Sequence, residues 1–408
     1  MTQAAELHPP IDRPVPSRYR ADPAWSERAA APLRLVAGPG ARPSPEEVEQ
    51  LKAGLLRRDE PAAALVRAVR EDRTVTMKQI RAALDAGVTD DSPAALRDFF
   101  DHLAPRPAWV RDDLLERGAR ACRRLGVDGL RVLGLGSLLG GYRTAAALEP
   151  LVRTGRLTGE EGQRRLNETT AWWIAVTAPG GLAPGAEGWR LSVHVRIMHA
   201  FVNDQLEQDP TWDWDLRGVP INQYDQASTL GVFSTSFLLH ARLFGLRVSR
   251  RDSEAIMHLW SYVGWLMGVD EQWLPRTERI GRRLLYQFLA GDPGPDQNTR
   301  LLARSLIDAV DTGPGSPAAK WFERERTLSI ATGLLGPGAM RDLGLPARPP
   351  WFTLWRCAVN LPLSQVLGRI PGTDGLTVRR GNTSIARECR RIFGEEGASR
   401  HGVGPIPA

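Results

Sequence analysis

The sequence predicts an all-α protein, a single globin-like helical domain with a flexible N-terminal arm. Three observations support this prediction. Helix-favouring Ala, Leu, Arg and Glu dominate the 408 residues. Apolar residues recur at helical spacing, as in Arg190–Asp204, where Val195 and Val202 share a stripe with Leu206 just beyond. Helix-start signals are present, as at residues 44–47, where Ser, Pro and two Glu follow one another.

Proline and small residues divide the chain into three parts. Residues 1–44 are rich in Pro and Ala, which predicts an extended arm. Residues 45–393 form the predicted helical domain, and the small, polar residues 394–408 predict a disordered tail. The Pro/Gly segment 291–295 is interpreted as a loop within this domain, and no internal repeat is visible.

Apolar periodicity, caps and prolines predict the helices in order. A Ser N-cap begins one amphipathic helix that reaches about residue 70, and Pro105 and Pro107 separate the next pair. An acidic start at residues 252–254 begins a tryptophan-rich helix, and Pro362 is expected to break the last apolar helix into two. The predicted ranges are 45–70, 77–86, 96–103, 108–125, 190–204, 229–243, 252–268, 276–289, 298–310, 321–335 and 339–343.

Composition argues against several classes of function. The 53 Lys and Arg against 47 Asp and Glu give a net charge of only +6 without a concentrated basic run, which argues against nucleic-acid binding. The excess of Arg over Lys is interpreted as a genomic bias. The three cysteines, Cys122, Cys357 and Cys389, form no CxxC or CxxCH motif, which argues against covalent haem and iron–sulfur clusters.

The same sequence shows no targeting or membrane signal. Its first twenty residues lack an apolar core, and no window contains some 18 uninterrupted apolar residues. The odd number of cysteines suits a reducing compartment. We therefore expect no membrane span and a cytoplasmic location, or secretion if an export signal precedes the natural mature form.

A glycine-rich segment follows the predicted helix 108–125. Gly134, Gly136, Gly140 and Gly141 do not match GxGxxG, and no strand alternation leads into them. Small residues that let helices or a flat cofactor approach closely are the better interpretation than a nucleotide loop.

Polar side chains on apolar helices are the candidate functional residues. His199 lies in the Val195 and Val202 stripe, where an imidazole is either a hydrogen-bonded core histidine or a metal ligand. Glu149, just before Pro150, is either a general base in an apolar setting or an ordinary helix-terminal acid exposed to water.

The run 164–173 places four side chains on one helical face. Arg165, Glu168, Thr169 and Trp172 stand at i, i+3, i+4 and i+7. This polar and aromatic set suits the wall of a cavity, although an exposed ion pair between Arg165 and Glu168 is the alternative. The tryptophans of residues 258–275 could likewise stack on a porphyrin or fill the core.

These motifs resemble one protein family in their order and spacing. Glu149, the Arg165 and Thr169 pair with Trp172, RIMHA at 196–200 and HLWSYVGWLMGVDEQWLP at 258–275 resemble the latex-clearing proteins. These are rubber oxygenases of actinobacteria, related more distantly to fungal ER-bound oxygenases that cut prenyl chains. The resemblance extends from about residue 96 to about residue 331.

The resemblance implies a haem site. His199 would be the axial ligand of the iron of a non-covalent b-type haem, beside Trp172, and dioxygen would be the co-substrate. Glu149 corresponds to the family's proposed base, while Arg165 and Thr169 correspond to residues that order the distal pocket. Glu168 stands on the distal haem face where well-studied members have a lysine, so we expect an open or water-bound distal side.

The function implied is oxidative cleavage of a C=C bond. We expect a haem-dependent oxygenase or dioxygenase that converts a small apolar isoprenoid, or a similar unsaturated substrate, to carbonyl products. Cleavage of extracellular polyisoprene is the alternative, followed by a haem-binding protein without turnover. In a third class, a helical interaction protein, His199 would be a core residue. The sequence does not indicate an oligomeric state.

Overall fold

The computed structural model describes residues 10–153, 159–312, 315–367 and 374–400. Within these ranges the regular structure is helical and no strand forms, apart from one isolated antiparallel bridge between Pro10 and Arg57. The all-α prediction is therefore confirmed. No helix in the described part of the chain is long and apolar enough to cross a bilayer.

The first half of the chain forms a series of short helices around the longer ones. In order these are α1 (Pro23–Ala37), α2 (Pro45–Gly54), α3 (Glu60–Arg70), α4 (Met77–Ala86), α5 (Ala94–Asp101), α6 (Asp112–Arg124), α7 (Gly126–Arg131), α8 (Leu139–Gly141), α9 (Glu149–Arg153), α10 (Gly159–Val176) and α11 (Glu187–Glu207). A π-helical segment, π1 (Val132–Leu138), joins α7 to α8.

The second half contains the most buried helix and a long C-terminal pair. It consists of α12 (Trp214–Arg217), α13 (Gln223–Gly231), α14 (Phe237–Leu243), α15 (Arg250–Leu266), α16 (Glu278–Gly291), α17 (Gln297–Thr312), α18 (Pro317–Asp342), α19 (Trp351–Leu367) and α20 (Asp374–Arg400). A second π-helical segment, π2 (Val232–Ser236), joins α13 to α14. Short 3₁₀ turns lie at Pro39–Ala41, Ala145–Leu148 and Glu271–Trp273.

The main core surrounds α15. Its residues Ile256, Met257 and Trp260 are fully buried. The helix packs closely on α6 because Gly118 has no side chain, since a Cβ there would lie 2.5 Å from the carbonyl oxygen of Ala255. The predicted helix 252–268 is thus the central element of the domain.

The prediction of an extended arm over residues 1–44 is wrong for α1. The Asp22 side chain accepts a hydrogen bond from the backbone N–H of Trp25 at 2.9 Å, and Pro23 occupies the first helical position. Trp25 and Ala30 are buried where α1 packs on α16. A proline in the first turn favours a helix, so the high proline content of this segment did not by itself indicate an extended chain.

Two further boundaries differ from the prediction. The single helix expected over 45–70 is divided into α2 and α3, because Gly54 lies against the ring of Trp273 and Asp59 caps a new start. The break expected at Pro362 is absent, and α19 continues past this residue. Proline lacks the N–H that would bond to the carbonyl of Ala358, but Ala358 is exposed, so water can bond to that carbonyl instead. Helix α20 extends through residues 394–400 of the predicted tail, and residues 401–408 lie outside the described part.

A buried arginine fastens the N-terminal arm to the domain. The Arg18 guanidinium donates to both carboxylate oxygens of Asp225, at 3.2 and 2.6 Å, and its Nε donates to the carbonyl of Arg217 at 3.0 Å. Nearby, burial raises the pKa of Asp292 to about 8. Arg18 is therefore the cation that neutralises Asp225 in a region otherwise rich in buried acids.

We expect Arg18→Ala to lower the free energy of unfolding by about 3–5 kcal/mol, since it leaves the Asp225 carboxylate buried without its cation. Arg20→Ala is the matched control from the same arm, because Arg20 is 45% exposed and pairs with Glu27 at 3.4 Å. The control should change stability by less than about 1 kcal/mol. Urea unfolding followed by circular dichroism measures both, and equal losses would contradict the anchoring role.

Candidate active site

Helices α10 and α11 form an antiparallel hairpin that carries most of the predicted site. The Trp172 indole Nε1 donates to Oγ of Ser192 at 3.0 Å, which ties the two helices together. Arg165 precedes Trp172 by seven residues and His199 follows Ser192 by seven, about 10 Å along each helix. The backbone positions of Arg165 and His199 therefore lie at a similar height on the hairpin.

His199 lies on a half-open apolar stripe of α11. Val195 and Val202, one turn to either side, are half-buried like His199 itself, and Leu206 is buried. The stripe predicted from the sequence is therefore present, and it is only partly covered by the protein. The opposite face of α11 is closed by Arg196, which donates to Asp59 at 2.5 and 2.8 Å.

Two of the three polar residues predicted on α10 can be compared, and their surroundings differ. Thr169 is half-buried, whereas the Glu168 side chain is 64% exposed and its Oε1 lies 3.9 Å from Nε of Arg164. The surface ion pair that the sequence left open thus involves Arg164. The Arg165 side chain lies outside the described residues, so its contact with Glu168 and its distal role stay predictions, as does the distal role of Glu168.

Glu149 begins α9 and is 5% exposed, so the alternative of a helix-terminal acid in water is wrong. Its Oε1 lies 3.0 Å from Nε of Arg153 and 3.4 Å from the Arg217 guanidinium. Its Oε2 is buried and has no hydrogen-bond partner among the described residues. The carboxylate is thus oriented through one oxygen while the other keeps its lone pairs available.

Arg153 and Arg217 are site residues that the sequence analysis missed. Arg153 follows Glu149 by four residues, a spacing that predicts an ion pair on a helix and could have been found. Arg217 comes from α12, 68 positions further on, and no local pattern indicates it. Arg153 also donates to Oγ1 of Thr211 at 2.7 Å, so the loop after α11 helps to fix it.

An aromatic cluster lies behind the hairpin. The Trp172 ring meets Phe233 edge-on at 5.1 Å and Trp260 at 5.6 Å, and Phe233 stacks on Trp260 at 5.3 Å. Trp260 is fully buried, so core filling describes it, while Trp172 is half-buried. Trp172 thus contacts the core on one side, and its contact with a cofactor stays a prediction.

The glycine-rich segment brings π1 close to its neighbours, as the sequence predicted. A Cβ at Gly136 would lie 2.9 Å from the His240 ring, and one at Gly141 would lie 2.9 Å from Val232. At Gly134 an added Cβ would meet nothing within 4 Å.

His240 is the side chain that lies against Gly136. Burial lowers the pKa of His240 to about 4, and its Nδ1 lies 3.2 Å from Oγ of Ser236.

The residues present fit a haem-type cofactor in the chemistry of their donors. A neutral imidazole is the usual axial ligand of haem iron, and His199 offers one within an incompletely covered aliphatic stripe. The unpartnered Oε2 of Glu149 offers a buried acceptor. Elsewhere in the described ranges, no three His, Cys, Asp or Glu side chains gather into a metal-binding cluster.

The chain is similar to known proteins in sequence and in fold. Residues 123–361 match the family described as "ER-bound oxygenase mpaB/B'/Rubber oxygenase, catalytic domain". The chain is 27% identical over 322 residues to a rubber oxygenase of Streptomyces sp. (strain K30), covering 76% of this chain and 74% of that one. The closed state of latex clearing protein superposes with a TM-score of 0.63 at 21% identity, over 80% of this chain and 89% of that one.

These matches define the class of protein as an all-helical oxygenase. The chain belongs to the family of ER-bound oxygenase mpaB/B' and rubber oxygenase catalytic domains, since the match covers more than half of its length. The family resemblance stated from the sequence motifs is therefore confirmed.

We expect Ser192→Ala to destabilise the protein by about 1 kcal/mol more than Ser234→Ala, because only Ser192 accepts the indole N–H of Trp172. The control is closely matched: both serines are fully buried and both donate to the carbonyl four residues earlier, at 2.7 and 2.8 Å. Thermal unfolding of the two variants measures the difference, and equal melting temperatures would contradict a stabilising hydrogen bond between α10 and α11.

Proposed function

We propose that this protein is a b-type haem-dependent oxygenase that cleaves a C=C bond of an apolar isoprenoid or similar unsaturated substrate. The observation that carries the proposal is the buried Glu149 carboxylate, held through Oε1 by two arginines with Oε2 unpartnered. Membership of an oxygenase family supplies the reaction class. Both atoms of dioxygen would enter the two carbonyl products, so the cleavage is balanced without an external reductant.

His199 and its stripe would hold the cofactor. The imidazole would ligate iron, and the half-buried Val195 and Val202 would contact the apolar macrocycle. When bound, the haem supplies the site at which dioxygen is activated. Thr169, which is half-buried on α10, would offer a hydroxyl, and Arg165 would order the same side of the pocket together with Glu168.

Glu149 would act on the substrate as a general base. Its Oε2 would accept an allylic proton from the isoprenoid chain and return it later, so that no net proton is lost. Arg153 and Arg217 would keep the carboxylate in one orientation throughout. Because Glu149 is buried, little bulk water would reach its carboxylate. A bound apolar substrate would exclude water further from the reacting carbon.

The alternatives concern substrate and turnover. The relative from Streptomyces is named a rubber oxygenase, so polyisoprene is the second candidate substrate. Oxygen uptake with polyisoprene latex and with short prenyl compounds, measured on the same haem-loaded preparation, separates them. Uptake with latex alone would favour rubber cleavage, and uptake with neither would favour a haem-binding protein without turnover.

We expect His199→Ala to abolish stable haem binding and the Soret band, because the variant lacks the proposed axial ligand. His194→Ala is the matched control, since His194 lies on the same helix and is also half-buried. Absorption spectra and haem-to-protein ratios, taken after expression with a haem precursor, measure both. A full complement of haem with an unaltered Soret band in His199→Ala would overturn the cofactor assignment.

We expect Glu149→Gln to retain haem and its spectrum while oxygen uptake falls by about 10²–10⁴-fold, because the amide keeps the shape but is not a base. Glu207→Gln is the control, since Glu207 is also largely buried and paired with an arginine, at 2.5 Å from Arg58. Activity in the control should stay within about threefold of the native protein. Unchanged uptake in Glu149→Gln would exclude the base role but leave the haem assignment standing.

A further inference from the structure

The surface of α19 is apolar over most of its length. Its sequence contains one charged residue, Arg356, and that side chain turns inward, with Nε 3.1 Å from Oδ2 of Asp128. Trp351, Leu354 and Trp355 share one face at helical spacing, and three further side chains are exposed along the helix, Val359, Leu361 and Leu363. Leu354 is 64% exposed and Trp355 is 52% exposed, so the residues that the structure describes leave this face uncovered.

Tryptophan marks this face more than any other part of the protein. The sequence has thirteen tryptophans, and the three that are exposed are Trp351 and Trp355 on α19 and Trp321 near the start of α18. The exposed Phe322 of α18 meets the Trp351 ring at 5.8 Å, which extends the face onto the start of α18. Indole rings favour a boundary between water and an apolar phase, because the ring is apolar while its N–H remains polar.

An arginine row accompanies the apolar face. Helix α20 exposes five arginines on one side, Arg379, Arg380, Arg387, Arg390 and Arg391. Among the described side chains of this helix, residues 375–392, Glu388 is the one carboxylate, and it pairs with Arg391. The row is therefore strongly positive, although the whole chain carries only +6.

The two helices are fastened to the same support. Asn360 of α19 donates to Oδ2 of Asp128 at 3.3 Å, and Ser384 of α20 accepts from the backbone N–H of Val127 at 3.0 Å. Both helices thus pack on α7 through the sides that face away from solvent. All of α20 lies beyond the matched residues 123–361, whereas most of α19 lies within them, so the arginine row is outside the matched catalytic domain and the apolar face is at its C-terminal end.

We propose that α19 and α20 form a docking surface for a bilayer that contains anionic lipids. Trp351, Leu354 and Trp355 would enter the boundary between headgroups and acyl chains, and the arginine row would pair with lipid phosphates. The protein would lie on the membrane without spanning it. The proposal requires neither haem nor turnover, so it stands or falls independently of the proposed function.

Charge favours a lipid partner over a second copy of this chain. In a two-fold dimer, each partner presents the same patch, which brings two arginine rows towards each other. An uncharged apolar particle would bind the tryptophan face but offer nothing to the arginines. An anionic bilayer satisfies both parts of the surface at once.

Co-sedimentation of the full chain with vesicles tests the proposal. We expect binding to phosphatidylcholine vesicles that contain phosphatidylglycerol to be more than about tenfold tighter than binding to phosphatidylcholine alone, and to weaken as salt is raised from about 0.1 to about 0.5 M. Tryptophan emission should shift to shorter wavelength on binding. Equal affinity for both vesicle types would overturn the role of the arginines, and no binding to either would overturn the proposal.

Matched variants locate the surface. Leu354→Gln/Leu361→Gln should weaken binding at least about tenfold, whereas the control Leu35→Gln/Leu243→Gln, at positions 87% and 55% exposed elsewhere, should not. Arg379→Gln/Arg380→Gln/Arg387→Gln should remove the preference for phosphatidylglycerol, whereas Arg20→Gln/Arg111→Gln/Arg250→Gln should keep it. Circular dichroism confirms that each variant is folded. The proposal would be overturned if the leucine variant bound vesicles as tightly as the native protein. It would also be overturned if the native protein bound no vesicles but formed a dimer that the leucine substitutions dissociate.

Discussion

Arginines from distant parts of the chain neutralise the buried carboxylates, and the fold depends on these pairs. Arg196 reaches Asp59 across 137 positions, Arg18 reaches Asp225 across 207 and Arg356 reaches Asp128 across 228. The planar guanidinium suits such sites because it stays charged when buried and donates two parallel hydrogen bonds. The excess of Arg over Lys, interpreted from the sequence as a genomic bias, therefore also has a structural use.

The arginine pairs connect the N-terminal arm with the candidate active site. Arg18 holds the carbonyl of Arg217, and the guanidinium of Arg217 lies beside Glu149. A segment interpreted from its prolines as an accessory arm thus helps to position the helix that orients the proposed base. The catalytic domain recognised by family comparison begins at residue 123, yet part of the support for its acid precedes it.

Features that depend on neighbouring residues in the sequence could be predicted from it. The apolar stripe around His199 follows from helical spacing, and the non-helical turn inside α18 at Gly336, whose φ is +81°, lies between the predicted helices 321–335 and 339–343. The contact of Arg217 with Glu149 and the split between α2 and α3 at Trp273 arise from tertiary packing, which no window of neighbouring residues contains. The buried state of Glu149 likewise depends on elements that the chain brings together only on folding.

The two π-helical segments determine how the domain would respond to the loss of a residue. Each wide turn closes its hydrogen bonds one residue later than an α-helix does, so it accommodates an extra residue without ending the helix. Loss of a single residue from π1 or π2 would restore α-helical winding and leave the downstream residues on nearly the same face, whereas the same loss in a regular α-helix rotates them by about 100°. A deletion of one residue at π1 or π2 would therefore keep Leu139 and Phe237 in the core, whereas a deletion within α15 would turn buried residues such as Trp260 towards solvent.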